Sequence, residues 1–125
     1  MADIRFPEVE LGPLCEKIGS GATPRGGKEV YFDKGDVSLI RSQNVYNNEF
    51  SRDGLVYLDD EQATRLSNVA VEVDDILLNI TGDSVARCCQ VVSDVLPARV
   101  NQHVAIIRPR PNELNAKFLR YFLVS

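Results

Sequence analysis

The chain has 125 residues, 44% of them hydrophobic and 26% charged, with 14 Lys+Arg, 18 Asp+Glu and one His for a formal net charge of −4. That length suits one domain with one core, and the composition excludes disordered, collagen-like and coiled-coil classes. The longest apolar runs, at 76–78 and 104–107, are far too short to cross a bilayer. The opening Met1-Ala2-Asp3-Ile4-Arg5 lacks the pattern of a secretory signal, so a cytoplasmic location is expected.

In chain order, Leu11-Gly12-Pro13-Leu14 reads as a turn that opens an extended stretch over 15–20. A Gly-rich loop follows, Gly19-Ser20-Gly21-Ala22-Thr23-Pro24-Arg25-Gly26-Gly27-Lys28. It is not a phosphate-binding loop, because Lys28 is followed by Glu29-Val30-Tyr31 rather than by Ser or Thr opening a helix. Residues 37–40, next to the turn signal Gly35-Asp36, predict a buried strand that runs into the polar quartet Arg41-Ser42-Gln43-Asn44. A second short strand is expected over 55–58. Asp59, with Gln62 three residues on, has capping-box spacing and predicts a helix from about 60 to 66, stopped by Asn68.

Val69, Val71 and Val73 alternate with Ala70 and Glu72, the period of a half-buried strand. Asp74-Asp75 turns the chain into 76–80, a strand buried on both faces. Thr81-Gly82-Asp83-Ser84 is a tight turn, and 85–92 is expected to be another strand. After Pro97, residues 104–107 form one more core strand, closed by Pro109 and Pro111. Phe118, Leu119, Phe122 and Leu123 then carry the stripe of an amphipathic helix, capped by Asn115. The expected fold is α+β: one small domain over 1–125, a mostly antiparallel twisted sheet or partial barrel with two short helices. The C-terminal amphipathic helix is expected to pack on the sheet.

Catalysis has little to stand on. Cys15, Cys88 and Cys89 form no C-x-x-C pair and read as small buried hydrophobes, and the lone His103 is too little to complete a zinc site. No Gly-x-Ser-x-Gly elbow is present, nor a methyl-donor loop, nor the Asn-Pro-Pro-aromatic tetrad that holds a flipped base. Any chemistry would lie in a partner.

Charge is unevenly placed. Residues 55–75 carry six acids against one base, Arg65, while 76–125 carry six bases against three acids. Ten of the fourteen bases are Arg, which suits bidentate contacts with guanine edges and phosphates. Hydrogen-bonding side chains gather at strand ends and loops: Arg25 and Lys28 in the Gly-rich loop; Arg41, Ser42, Gln43 and Asn44 after the first core strand; Thr81, Ser84 and Arg87 about the tight turn; Gln102 and His103 before the last strand. Such groups read base edges and position phosphates, although Asn, Ser, Thr and Gly belong at turns in any case. Arg41 and Arg87 are the expected base readers and Lys28 a phosphate contact. The acidic 59–75 segment supports a second reading, a non-catalytic protein-interaction module with an acidic face.

Five pieces in order carry a resemblance: Leu11-Gly12 with Ile18-Gly19-Ser20-Gly21-Ala22-Thr23-Pro24; Gly35 to Arg41; Asp74-Asp75-Ile76-Leu77-Leu78 with Thr81-Gly82; Ala98 to Pro109; and Phe118-Leu119-Arg120-Tyr121-Phe122-Leu123. The set resembles a target recognition domain of the specificity subunit of a type I restriction–modification system. The resemblance implies a sequence-specific reader of double-stranded DNA with no catalysis of its own. Its expected partners are a methyltransferase subunit, which carries S-adenosylmethionine and methylates adenine, and a restriction subunit, which cuts. Residues 1–125 are expected to be one recognition domain, without the family's coiled-coil spacer or second recognition domain. No cofactor or membrane partner is expected of this chain itself.

Overall fold

The computed structural model describes residues 15–23 and 31–110, and the backbone of β1 (Arg5–Phe6) and β2 (Val9–Glu10), which pair antiparallel. In chain order there follow β3 (Cys15–Ser20), β4 (Val37–Ile40), a 3-10 turn (Ser42–Asn44), β5 (Val45–Tyr46), β6 (Glu49–Phe50), β7 (Val56–Leu58) and α1 (Asp60–Arg65). After a 3-10 turn at Ser67–Val69 come β8 (Ile76–Asn79) and β9 (Cys88–Gln90). A third 3-10 turn (Ser93–Val95) leads to β10 (Ala98–Val100) and β11 (Val104–Pro109).

Two sheets hold the domain together. One is antiparallel with strand order β3-β11-β8-β9. The other has order β10-β4-β7, with β10 parallel to β4 and β7 antiparallel to it. β5 and β6 form a separate hairpin. The expected antiparallel α+β character holds, with one parallel pair added, and the described strands do not close into a barrel.

Alternation explains the core. Leu77, Cys89, Val104 and Ile106 point from the first sheet into a cluster with Leu39, Ile40 and Leu58 of the second. Ile76, Leu78, Ala105 and Ile107 point the other way and are equally buried. β8 is therefore buried on both faces, as its uninterrupted apolar run predicts. Each large aliphatic side chain so buried contributes about 1.5–3 kcal/mol. The three cysteines are buried thiols, Cys89 inside the cluster and Cys88 on the opposite face.

α1 begins where its cap predicts: Asp59 Oδ1 accepts from the Gln62 N–H at 2.8 Å. Asp60 and Glu61 in its first turn and Arg65 in its last suit the helix dipole. Asn68 does not stop it. The Leu66 N–H bonds back to Gln62, and Asn68 sits inside the following 3-10 turn.

One expected strand is absent and another is shortened. Residues 69–73 form no strand: Val69 ends the 3-10 turn, Ala70 makes a single bridge to Arg99, and Val73 is exposed. The valine period is satisfied by burying Val69 and Val71 alone, before Asp74 turns the chain with φ at 68°. The 85–92 strand shrinks to β9, because the turn runs on to Ala86, whose N–H donates to Asn79 O at 2.8 Å. Val85 is consequently 58% exposed. β11 runs through Pro109, with its register shifting against β3 between Arg108 and Pro109. A residue without an N–H is tolerated at such an irregularity.

β5, β6 and β10 were not anticipated. The C-terminal helix, with Asn115 and Phe118 to Leu123, and the 11–14 turn lie outside the described residues. α1 is the α-helix among the described residues, and no helix among them is long and apolar enough to cross a membrane.

Candidate nucleic-acid interface

Three loops converge at the Asn79 end of β8. The 3-10 turn after β4 supplies Ser42 and Gln43, and β5 supplies Tyr46. The β8–β9 connection supplies Thr81, Gly82, Asp83, Ser84 and Arg87, and the turn before β11 supplies His103. Together they line an open, largely polar pocket of about 470 Å³.

A buried amide ties the loops together. The Asn79 side chain is 1% exposed, and its Nδ2 donates to Ser42 O at 3.0 Å, to Val45 O at 3.3 Å and to Ser84 Oγ at 3.1 Å. Its Oδ1 has no hydrogen-bond partner. The Asn79 backbone closes the same connection, its N–H donating to Arg87 O at 2.8 Å and its carbonyl accepting from Ala86. On the other flank the Ile80 N–H donates to His103 O, and His103 Nδ1 shares a hydrogen bond with Thr81 Oγ1. Asn101 anchors that turn: its Oδ1 accepts from the His103 N–H at 3.0 Å and its carbonyl from the Gly21 N–H. Gly21 has to be glycine, since a Cβ there would lie 1.7 Å from Val100 O.

Strain is concentrated in the β8–β9 connection. Gly82 has φ at 76°, which glycine adopts freely, whereas Ala86, next to Arg87, holds φ at 72°. A left-handed alanine costs about 1–2 kcal/mol and has to be held in place by its surroundings. Here those are the two hydrogen bonds to the Asn79 backbone.

Six of the eleven residues singled out from sequence meet in this pocket: Ser42, Gln43, Thr81, Ser84, Arg87 and His103. Three others take structural positions. Asn44 is fully buried, its Oδ1 accepting from the Arg41 N–H and its Nδ2 donating to Ser51 O and Asp53 O. Arg41 donates to Gly54 O at 2.8 Å and lies over the Tyr31 ring, 5.3 Å from its centroid, which turns it away from the pocket. Gln102 does not line the pocket, and its Oε1 is buried. Arg25 and Lys28 lie outside the described residues.

Tyr46 was missed. It is 43% exposed, with the Arg87 guanidinium over its ring at 5.2 Å. A signal for it exists: Asn47-Asn48 between two short runs is a two-residue hairpin signature, and Asn48 has φ at 61°.

The acidic 59–75 segment is largely engaged internally. Asp59 caps α1, Glu61 pairs with Arg65, and Asp74 Oδ1 accepts from Gln90. Arg108 takes the fully buried Asp75 carboxylate through Nε at 2.7 Å and Nη2 at 2.8 Å, and reaches Glu72 through Nη1 at 2.8 Å. The hydrogen bond to Asp75 holds the Arg108 guanidinium above its ordinary pKa against the opposing effect of burial, and the charges of Asp75 and Glu72 add to it. Arg99, whose Nε donates to Ala63 O, is lowered by burial.

Two solved structures share this fold. The HsdS subunit from Thermoanaerobacter tengcongensis matches with a TM-score of 0.67 at 18% identity, over 93% of this chain and 26% of that one. A chain from a structure of the type I R-M system, described for its complex assembly and conformational transition, matches with a TM-score of 0.61 at 18% identity over the same shares. The chain thus spans about a quarter of the length of the solved chains it matches. No family model matches the sequence.

Proposed function

We propose that this chain is a DNA target recognition domain of a type I restriction–modification specificity subunit, non-catalytic itself. It would direct adenine methylation and cleavage carried out by partner subunits in the cytoplasm, with S-adenosylmethionine bound by the methyltransferase partner. The observation that carries the reading is the convergence of Ser42, Gln43, Thr81, Ser84, Arg87 and His103, from three separate loops, in one open polar pocket on a fold shared with HsdS subunits. Amide, hydroxyl, imidazole and guanidinium groups are the chemistry of base-edge and phosphate contact. Arg25 and Lys28 would add phosphate contacts from the Gly-rich loop. The acidic-face alternative is weakened, because Asp59, Glu61, Glu72, Asp74 and Asp75 already have partners within the domain.

The test is selection of bound duplexes from a randomised DNA pool at low salt, followed by sequencing. Enrichment of a short motif is expected, with affinity falling steeply as salt rises, because each neutralised phosphate releases counterions. Binding without enrichment, or none with or without a methyltransferase partner, overturns the reading.

A further inference from the structure

The arginines of the domain are not equivalent. Arg41 donates to Gly54 O, Arg52 to Asp94, Arg65 to Glu61, Arg99 to Ala63 O and Arg108 to Asp75. Of the other two described arginines, Arg110 does not line the pocket, whereas Arg87 lines it, directs its side chain at no acceptor among the described residues and lies over the face of Tyr46. A guanidinium stacked on a ring is held in a plane while its N–H edge stays available, the geometry of bidentate donation.

Asp83 lines the same pocket, and no ion pair within 4.0 Å joins it to Arg87. A carboxylate at that place opposes a phosphate. It suits a base edge, because Asp accepts from the exocyclic amine of cytosine while Arg donates to O6 and N7 of guanine. We infer that the pocket reads a G·C base pair from the major groove, with Arg87 on the guanine and Asp83 on its cytosine. This rests on the DNA-reading proposal above and adds the identity of one base pair. Tyr46, whose ring lies under the guanidinium, is the positioning residue for Arg87.

The experiment repeats the duplex selection with the wild-type chain, Arg87→Lys and Asp83→Asn. The wild-type motif is expected to contain one fixed G·C pair. Arg87→Lys keeps the charge but loses the fork, and flattens that column alone, by about ten- to a hundredfold in preference. Asp83→Asn relaxes the same column. A measurement on the wild-type protein guards against variants that do not fold. At the selected position 7-deazaguanine, which lacks the N7 acceptor, weakens binding, while inosine, which keeps N7 and O6 and lacks only the minor-groove amine, does not. Equal binding of the 7-deazaguanine duplex overturns the inference, as does an Arg87→Lys effect spread evenly over all sequences, which marks a phosphate contact. A wild-type chain that enriches no motif overturns the DNA-reading premise itself, a distinguishable result.

Discussion

The two ends of β8 are built on opposite plans. At its start, Asp75 is fully buried and bound at both oxygens by Arg108, Oδ2 also accepts from the Glu72 N–H, and Nη2 of Arg108 reaches Ala70 O as well. Every strong group there has a partner inside the domain. At its end, Asn79 is buried too, yet it leaves Oδ1 without one and serves to gather loops whose outer side chains remain exposed. Three residues of one strand, Ile76 to Leu78, separate a closed polar network from an open one. The closed end stabilises, and the open end leaves hydrogen-bonding capacity for a ligand.

The largest test of this contrast is Arg108→Ala. It leaves the Asp75 carboxylate buried and unpaired, and a loss of about 3–5 kcal/mol in unfolding free energy is expected from urea titration. The protein that remains folded should select the same DNA motif as wild type. A changed motif would mean that the two ends of β8 are coupled, and the contrast would fail.

Asn79→Ala should act in the reverse sense. It removes a side chain that bonds Ser42 O, Val45 O and Ser84 Oγ, and about 1–3 kcal/mol of stability should go with it. Its larger effect should be on recognition. With the 42–45 segment and the β8–β9 connection released together, the selected motif should blur at several positions, not at one column as for Arg87→Lys. An unaltered motif would show that the pocket holds its shape without the amide.

What the sequence made legible follows range in the chain. β4, β8 and β11 show in their apolar runs, β3 in the turn residues 11–14 read before it, and the α1 start in Asp59 and Gln62, because such signals act over a few residues. β10 was hidden: Ala98–Val100 is three residues long and becomes a strand by parallel pairing with Val37–Ile40, some sixty residues earlier. The extent of the β8–β9 turn was hidden as well, since the Ala86 N–H donating to Asn79 O and the Asn79 N–H donating to Arg87 O decide it, not the valine at 85. In the site, residue type and loop position sufficed for six side chains. They could not separate Asn44 from Gln43, one buried against the carbonyls of Ser51 and Asp53, its neighbour in the pocket.

The smallest expected effect separates two arginines that look alike in sequence. Both Arg41 and Arg87 follow or flank a core strand and both stack on a tyrosine, at 5.3 Å and 5.2 Å. Arg41 differs in donating to Gly54 O, across a turn in which Gly54 holds φ at 70°. Its charge thus serves the loop that Asn44 also ties down, through Ser51 and Asp53. Arg41→Ala should cost about 1 kcal/mol in urea unfolding, the ordinary net worth of such a bond at a partly solvated site. The selected DNA motif should stay the same at every position. A motif altered by Arg41→Ala would move the reading surface towards the 51–54 loop and make Arg41, not Arg87, the side chain that contacts a base.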